Sequence, residues 1–165
     1  MAATLTQQKD LDLLFLVTSG HEIEGLGGRH FIESTAPKPE QVRLWLHIGA
    51  NVACDALDLT GGAPRAVGKP TQRRGLLATA ALQPSIREQF AGQAGYATPV
   101  DVDSPTAVGE VVVFRNAGYR PLIGLVGAAP LHHTPLDKAA LATSPQLLEP
   151  VARSLAATLL SVLAS

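Results

Sequence analysis

The C-terminal segment constrains the fold more than any other part of the sequence, because its apolar residues recur at helical spacing. Residues spaced three or four apart lie on one face of an α-helix, and such a face must be buried against a core. Ser144 before Pro145 is a helix-start signal, but Pro150 would kink the first turns, so we expect the regular helix to begin nearer Glu149. The apolar positions of this predicted helix are Leu147, Leu148, Val151, Leu155, Leu159, Val162 and Leu163.

Short apolar runs upstream of this helix predict strands. Residues 13–17 and 121–126 are continuous apolar runs, typical of strands buried on both faces in a parallel sheet. Weaker strand candidates are residues 42–48, 75–81 and 98–102. Residues 109–116 remain open between strand and helix, and the Gly- and Pro-rich stretch 60–70 predicts a loop.

Two further segments predict helices between these strands. Residues 29–34 are compatible with a helix, and residues 84–93 begin with Pro84 and carry Ile86 and Phe90 four positions apart. Strands that alternate with helices predict an α/β fold with a mixed, mostly parallel sheet. No repeat or linker divides the sequence, so we expect residues 1–165 to form one domain.

Composition excludes several classes of function. A chain of 165 residues with 46% hydrophobic residues can bury a core, and its formal charge of −1 provides no bulk attraction for nucleic acid or acidic membranes. The single cysteine, Cys54, cannot form an internal disulfide and is expected to be a small buried residue. The apolar runs are much shorter than the ~20 residues of a membrane span, and the polar N-terminus shows no signal pattern. We therefore predict a cytoplasmic protein without nucleic-acid or membrane partners.

Three motifs, taken together, suggest a family. Residues 18–28 read Thr-Ser-Gly-His-Glu-Ile-Glu-Gly-Leu-Gly-Gly after a predicted strand, and residues 133–137 read His-Thr-Pro-Leu-Asp before the terminal helix. Between them, Glu110 precedes Phe114 and an Ala-Gly pair. In order and spacing these motifs resemble the zinc aminopeptidases of metallopeptidase family 28. That family usually has a tyrosine where this chain has His132.

The resemblance has implications for fold and partners. It implies a phosphorylase/zinc-peptidase-like three-layer α/β/α sandwich, truncated at the N-terminus because the first strands of the family domain would precede Met1. It also favours a short helix for residues 109–116. A sheet edge that the missing half would cover is exposed in such a domain, and exposed edges pair with other chains. The expected partners are therefore a second copy of the chain or a separately encoded N-terminal half.

The family's chemistry requires five metal ligands and one base. Two zinc ions share a bridging carboxylate, they acidify a bound water, and a glutamate accepts its proton. When this chain is aligned on its Gly-Leu pair, Glu22 falls on the catalytic base position and Ile23 on the neighbouring ligand position. Isoleucine cannot bind zinc, and Glu24 is the nearest carboxylate that could replace it. His133 matches the last ligand position by residue type and context.

The remaining ligand positions are not matched by carboxylates. The first histidine and the bridging aspartate of the family belong to segments upstream of Met1. The next ligand is an aspartate at the end of the following strand, where this chain offers only His47 before Asp55. The resemblance thus implies a degenerate metal site, with Glu22 as the catalytic candidate and His133 and Glu24 as the metal candidates. No cofactor is expected other than zinc, should a residual site survive.

Simpler roles compete with these assignments. Glu22 could be a solvated or helix-capping carboxylate, since it stands just before a predicted helix N-terminus. His133 could be hydrogen-bonded in the loop between strand and helix, and the other histidines are expected to be surface or supporting groups. A triad of Ser19, His133 and Asp137 lacks the Gly-x-Ser-x-Gly turn of serine hydrolases.

Three functions follow in order of preference. The first is a degenerate zinc-aminopeptidase-like domain that is not catalytic on its own and acts as a binding or structural module. The alternative is the C-terminal part of a zinc-dependent aminopeptidase or carboxypeptidase that hydrolyses peptide bonds. In the third, the chain is an unrelated α/β domain and the motif matches are coincidental.

Overall fold

Strands and helices alternate along the chain in the computed structural model, which describes residues 11–50 and 52–164. Most of the polar N-terminal stretch therefore lies outside the described residues. In chain order the elements are α1 Leu26–Ser34, β1 Trp45–Ile48, β2 Asp55–Asp58, β3 Arg65–Pro70, β4 Arg74–Ala78, α2 Gln83–Gln89, β5 Val100–Asp101, α3 Val111–Asn116, β6 Leu122–Gly127, α4 Ala139–Ala142 and α5 Pro145–Ala164.

Four of the strands form one sheet in the order β1–β6–β4–β5. β1 runs parallel to β6, with Trp45 opposite Leu122 and Ile48 opposite Leu125. β4 runs parallel to β5 and antiparallel to β6. The prediction of an α/β protein with a mixed, mostly parallel sheet is therefore confirmed. β2 and β3 form a separate antiparallel hairpin.

Neighbouring residues of the central strands point into different core clusters, as the pleat of a strand requires. Ile123 and Leu125 of β6 belong to the first core cluster, which also contains buried residues of α2 and α5. Leu122 belongs to the second core cluster, which contains buried residues of α3 and partly buried residues of α1. Between them, Gly124 gives room to α3, since a Cβ there would lie 2.9 Å from a methyl group of Val111. The strands are thus buried on both sides.

The C-terminal helix forms, but it begins earlier than expected. α5 starts at Pro145, and the Ser144 hydroxyl accepts a hydrogen bond from the backbone N–H of Leu147 at 3.3 Å. This cap stabilises the first turn. Pro150 lies inside the helix, where it donates no backbone hydrogen bond. Of the predicted apolar stripe, Leu148 is exposed; the fully buried members are Val151, Leu155 and Leu159.

α5 is also long and apolar enough, by length and composition alone, to cross a membrane. Helices that pack on the core of a soluble protein pass the same test, and α5 contributes three residues to the first core cluster. The absence of a membrane partner and the cytoplasmic location stay predictions.

The predicted strand at residues 13–17 is wrong. Residues 11–20 contain no helix or strand, and the side chains of Leu14, Phe15 and Val17 are 62%, 69% and 97% exposed. An apolar run becomes a strand only where a neighbour supplies hydrogen bonds to its backbone. Among the described residues, no strand pairs with this segment.

The predicted loop at residues 60–70 is also wrong in its second half, because Arg65–Pro70 forms β3. The reason is a side chain from the partner strand. The carboxylate Oδ1 of buried Asp55 accepts hydrogen bonds from the backbone N–H groups of Val67, Gly68 and Lys69, at 3.0, 2.9 and 3.3 Å. Residues 109–116 resolve as the short helix α3, the outcome that the family resemblance favoured.

Candidate metal-binding site

Glu22 and His133 lie together although they are 111 positions apart in the sequence. Glu22 stands in the turn before α1, and His133 in the loop that follows β6. The Nε2 atom of His133 is 2.7 Å from the Oε1 atom of Glu22, so the imidazole donates a hydrogen bond to the carboxylate. The His132 ring lies against that of His133, with ring centroids 3.7 Å apart. One ligand atom from each of these three residues lies within 4.8 Å of the other two.

Local backbone geometry positions both halves of this three-residue cluster. Before α1 the chain approaches itself so closely that a Cβ on Gly27 would lie 2.5 Å from the carbonyl oxygen of Ser19. His133 has a φ of 65°, a left-handed conformation that is uncommon for a residue with a side chain. Its loop is held by Thr134, whose hydroxyl donates to the carbonyl of Leu131 at 2.7 Å. The turns therefore fix where the two side chains leave the backbone.

The electrostatic environment favours the ionised form of Glu22. The hydrogen bond from His133 lowers the pKa of the Glu22 carboxyl, and the neighbouring imidazoles of His133, His21 and His132 act in the same direction. The side chains of Glu22 and His133 are 66% and 61% exposed, so the cluster is open to solvent and to ions.

A second group of polar side chains adjoins this cluster. The Nδ1 atom of His21 lies 3.5 Å from the Oε2 atom of Glu110, and the hydroxyl of Thr18 donates to Glu110 Oε1 at 3.4 Å. Burial lowers the pKa of His47, near the carboxyl end of β1, although the charge of Glu110 opposes that shift. His47 is therefore a neutral imidazole at neutral pH. The carboxyl-end region of the parallel strands thus carries several groups able to hold a cation or a polar ligand.

Glu24, the third sequence-predicted site residue, is directed elsewhere. Its carboxylate pairs with the guanidinium of Arg29 at 3.1 Å, and its backbone φ is 53°. Ile23 is 62% exposed, and its carbonyl oxygen accepts a hydrogen bond from Arg29 at 3.3 Å. Of the three predicted residues, the structure brings Glu22 and His133 together and leaves Glu24 outside the cluster.

Two other residues considered at the sequence level also have defined roles. Asp55, the first carboxylate after β1, is buried and its Oδ1 atom is used by the β3 backbone. Cys54 is fully buried, as expected, and burial raises the pKa of its thiol. Neither residue offers its side chain to the cluster at Glu22.

His132 was not predicted from the sequence to be a metal ligand. Like the other histidines apart from His133, it was expected to be a surface or supporting group. The structure places its imidazole beside His133, and its Nδ1 atom is 4.0 Å from the carboxylate of Asp137. The sequence signal for a metal ligand at this position was the adjacent pair His132-His133, since two imidazoles in one loop offer two nitrogen ligands instead of one.

The donor set fits one zinc ion and not two. One carboxylate and two imidazoles form a ligand set that zinc accepts, with each donor about 2 Å from the metal. The three ligand atoms are close enough to converge on one ion after small rotations of exposed side chains. The five-ligand arrangement of the di-zinc peptidases is not present in the described residues, because Ile23 and Asp55 cannot provide two of its carboxylates.

Comparison with known proteins returns no relative: no protein-family model matches the chain, and no curated protein matches it significantly. The likeness to zinc aminopeptidases thus depends on the three sequence motifs.

Proposed function

We propose that this chain is a non-catalytic, zinc-peptidase-like domain that binds a single zinc ion through Glu22, His132 and His133. The observation that carries the proposal is the 2.7 Å contact between Glu22 and His133, which are 111 positions apart in the sequence. Zinc is the favoured ion because it accepts mixed oxygen and nitrogen ligands, whereas magnesium and calcium prefer oxygen alone.

The same geometry argues against peptide hydrolysis. An ion held by three protein side chains supplies an open position that can polarise a bound water or carbonyl group. Hydrolysis also needs a general base within reach of that water. Glu22 holds the base position of the resembling family, and a Glu22 that ligates the ion cannot also accept the proton. The domain then acts as a binding module.

The proposal includes the finer fold assignment, a three-layer α/β/α arrangement of the phosphorylase/zinc-peptidase-like type. It is supported by the division of the helices: α2 and α5 contribute to the first core cluster, whereas α1 and α3 contribute to the second.

Zinc titration of the metal-free protein by isothermal calorimetry tests the proposal. We expect one zinc per chain and a loss of at least about 10- to 100-fold in affinity for Glu22→Ala, His132→Ala and His133→Ala, because removing a residue that only supports a ligand already costs that much. His30→Ala is the matched control, because His30 is exposed on α1 outside the cluster. Absence of binding, or an equal loss in the control, would contradict the proposal.

The peptidase alternative is favoured by one observation, the presence of Glu22 at the base position. An aminoacyl-anilide assay of the zinc-loaded protein separates the two functions. We expect no turnover above that of free zinc. Chelator-sensitive turnover that Glu22→Gln abolishes, while one zinc remains bound, would show that Glu22 is a base and would overturn the non-catalytic proposal.

A further inference from the structure

The side chain of Glu110 is not used by its own helix. Glu110 stands at the N-cap position of α3, where a side-chain oxygen can accept hydrogen bonds from the first backbone N–H groups. It makes no capping hydrogen bond to the described residues of that helix. Its carboxylate instead accepts a hydrogen bond from the Thr18 hydroxyl at 3.4 Å and lies 3.5 Å from the Nδ1 atom of His21. Both partners belong to residues 18–25, which carry Glu22 and lead into α1; we call this segment the Glu22 turn.

Two glycines leave room for the Glu110 side chain beneath the Glu22 turn. A Cβ on Gly25 would lie 3.2 Å from Cγ and 3.3 Å from Oε1 of Glu110. Gly25 has a φ of 69°, in the left-handed region that favours glycine. A Cβ on Gly28, in the first turn of α1, would lie 3.6 Å from the same oxygen. The backbone of the Glu22 turn therefore packs directly on the carboxylate.

The Glu110 carboxylate depends on this turn because it has few other partners. Its side chain is only 14% exposed, and across residues 11–50 and 52–164 no lysine or arginine forms an ion pair with it. A carboxylate with little access to water costs free energy unless neighbouring groups donate hydrogen bonds or charge to it. Thr18 supplies a hydroxyl donor, and His21 supplies an imidazole at ion-pair distance.

Backbone hydrogen bonds connect these contacts to Glu22. The N–H of Leu26 donates to the carbonyl of Gly20 at 3.1 Å, and the N–H of Gly27 donates to the carbonyl of Ser19 at 3.0 Å. The turn is thus closed on both sides of Glu22, which directly follows His21. A displacement of the turn from α3 would therefore move the Glu22 carboxylate relative to His133, and metal sites are sensitive to small displacements of this kind.

We propose that Glu110 is a positioning residue of the zinc site: its carboxylate holds the Glu22 turn on α3 and so keeps Glu22 opposite His133. The inference rests on the proposed binding of zinc by Glu22, His132 and His133. Glu110 itself is not a ligand and acts through Glu22.

Hydrogen exchange of the metal-free protein, followed by NMR, tests whether Glu110 holds the turn. Glu110→Ala is expected to speed exchange at the amides of Leu26 and Gly27 by about tenfold, because it removes the acceptor that anchors the turn. Glu33→Ala is the matched control, since Glu33 is an exposed glutamate on α1. Unchanged exchange in Glu110→Ala, or an equal increase in the control, would overturn the proposal.

Zinc titration tests the connection to the metal. Glu110→Ala is expected to lower the affinity at least about 10-fold, as for other residues that support a ligand. Glu110→Gln should restore most of the affinity, because its side-chain carbonyl can still accept the hydrogen bond from Thr18. In a Glu22→Ala background, Glu110→Ala should lower the affinity no further, since the two residues act as one unit. An equal loss in both backgrounds would show a general structural role and contradict the proposal.

These measurements separate the inference from the proposed function. A chain that binds no zinc would overturn the proposed function, and the metal-free exchange experiment would still decide whether Glu110 holds the turn. Far-ultraviolet circular dichroism checks that each variant is folded. If Glu110→Ala is unfolded, Thr18→Val replaces it, because valine has the shape of threonine but lacks the hydroxyl donor. Thr18→Val should also show faster exchange and weaker zinc binding, and values equal to those of the unmodified protein would refute the role of Glu110.

Discussion

The contact between Glu22 and His133 is the smallest unit on which the proposed function depends. It joins two exposed side chains, so its energetic contribution to folding is small, but it orients a carboxylate and an imidazole toward the same point. The pKa of Glu22 is lowered in the folded protein. The contact is therefore present above the ordinary titration range of glutamate, and it is lost as the pH falls through the lowered pKa.

A carboxyl-carbon NMR titration of Glu22 checks this. We expect a pKa below the ordinary value of about 4.3 in the unmodified protein. His133→Ala should raise the pKa toward that value, because it removes the hydrogen bond that stabilises the carboxylate. His30→Ala should leave the titration unchanged. An unshifted titration in the unmodified protein would show that the contact does not form in solution.

Among the structural elements, the β2–β3 hairpin shows how one side chain can hold an irregular stretch of strand pairing. Asp55 binds three consecutive N–H groups of β3 through a single oxygen, at a point where Gly68 adopts a φ of 75°. The glycine allows the backbone to turn its N–H groups toward the carboxylate. β3 thus depends on β2 for the side-chain contacts of Asp55 as well as for backbone hydrogen bonds between the strands.

Asp55→Ala is expected to destabilise the hairpin by about 1–3 kcal/mol or more, the cost of leaving partly buried donors unpaired. Urea unfolding measures the loss of stability. Hydrogen exchange should become faster at the amides of Val67, Gly68 and Lys69. Asp58→Ala lies in the same hairpin but pairs with the exposed side chain of Arg65, so those three amides should keep their protection.

Prediction from sequence succeeded where local pattern determines structure. α5 and β6 were predictable because helical spacing and a continuous apolar run are properties of the segment itself. Residues 13–17 and β3 were not, because the first lacks a strand neighbour and the second depends on a distant carboxylate. In the same way, the motifs predicted Glu22 and His133 as site residues. The roles of Glu24 and His132 depend on loop geometry, such as the φ of 53° at Glu24, which the motifs do not specify.

For the whole molecule, a bound zinc ion would connect the turn before α1 to the loop after β6. Cross-connections of this kind stabilise the folded state, since an ion that binds only the folded chain shifts the unfolding equilibrium. The connected segments are 111 positions apart, so the unfolded chain rarely brings Glu22 and His133 together and the ion favours the folded state.

At a free zinc concentration of 100 times its dissociation constant, the gain is about 2.7 kcal/mol. This corresponds to a rise in Tm of about 5–10 °C for a domain of this size. Differential scanning calorimetry with and without zinc measures the shift. His133→Ala should abolish the shift and His30→Ala should retain it. An identical rise in both variants would indicate zinc binding elsewhere.

Ile23 and Gly27 differ in how much their surroundings restrict substitution. The side chain of Ile23, at the position where the resembling family ligates zinc, is largely exposed, so the fold places few demands on it. Four residues later, any side chain on Gly27 would collide with the backbone of Ser19. A polar residue at position 23 is therefore expected to leave the fold intact, whereas a side chain at position 27 would force the backbone of Ser19 to move.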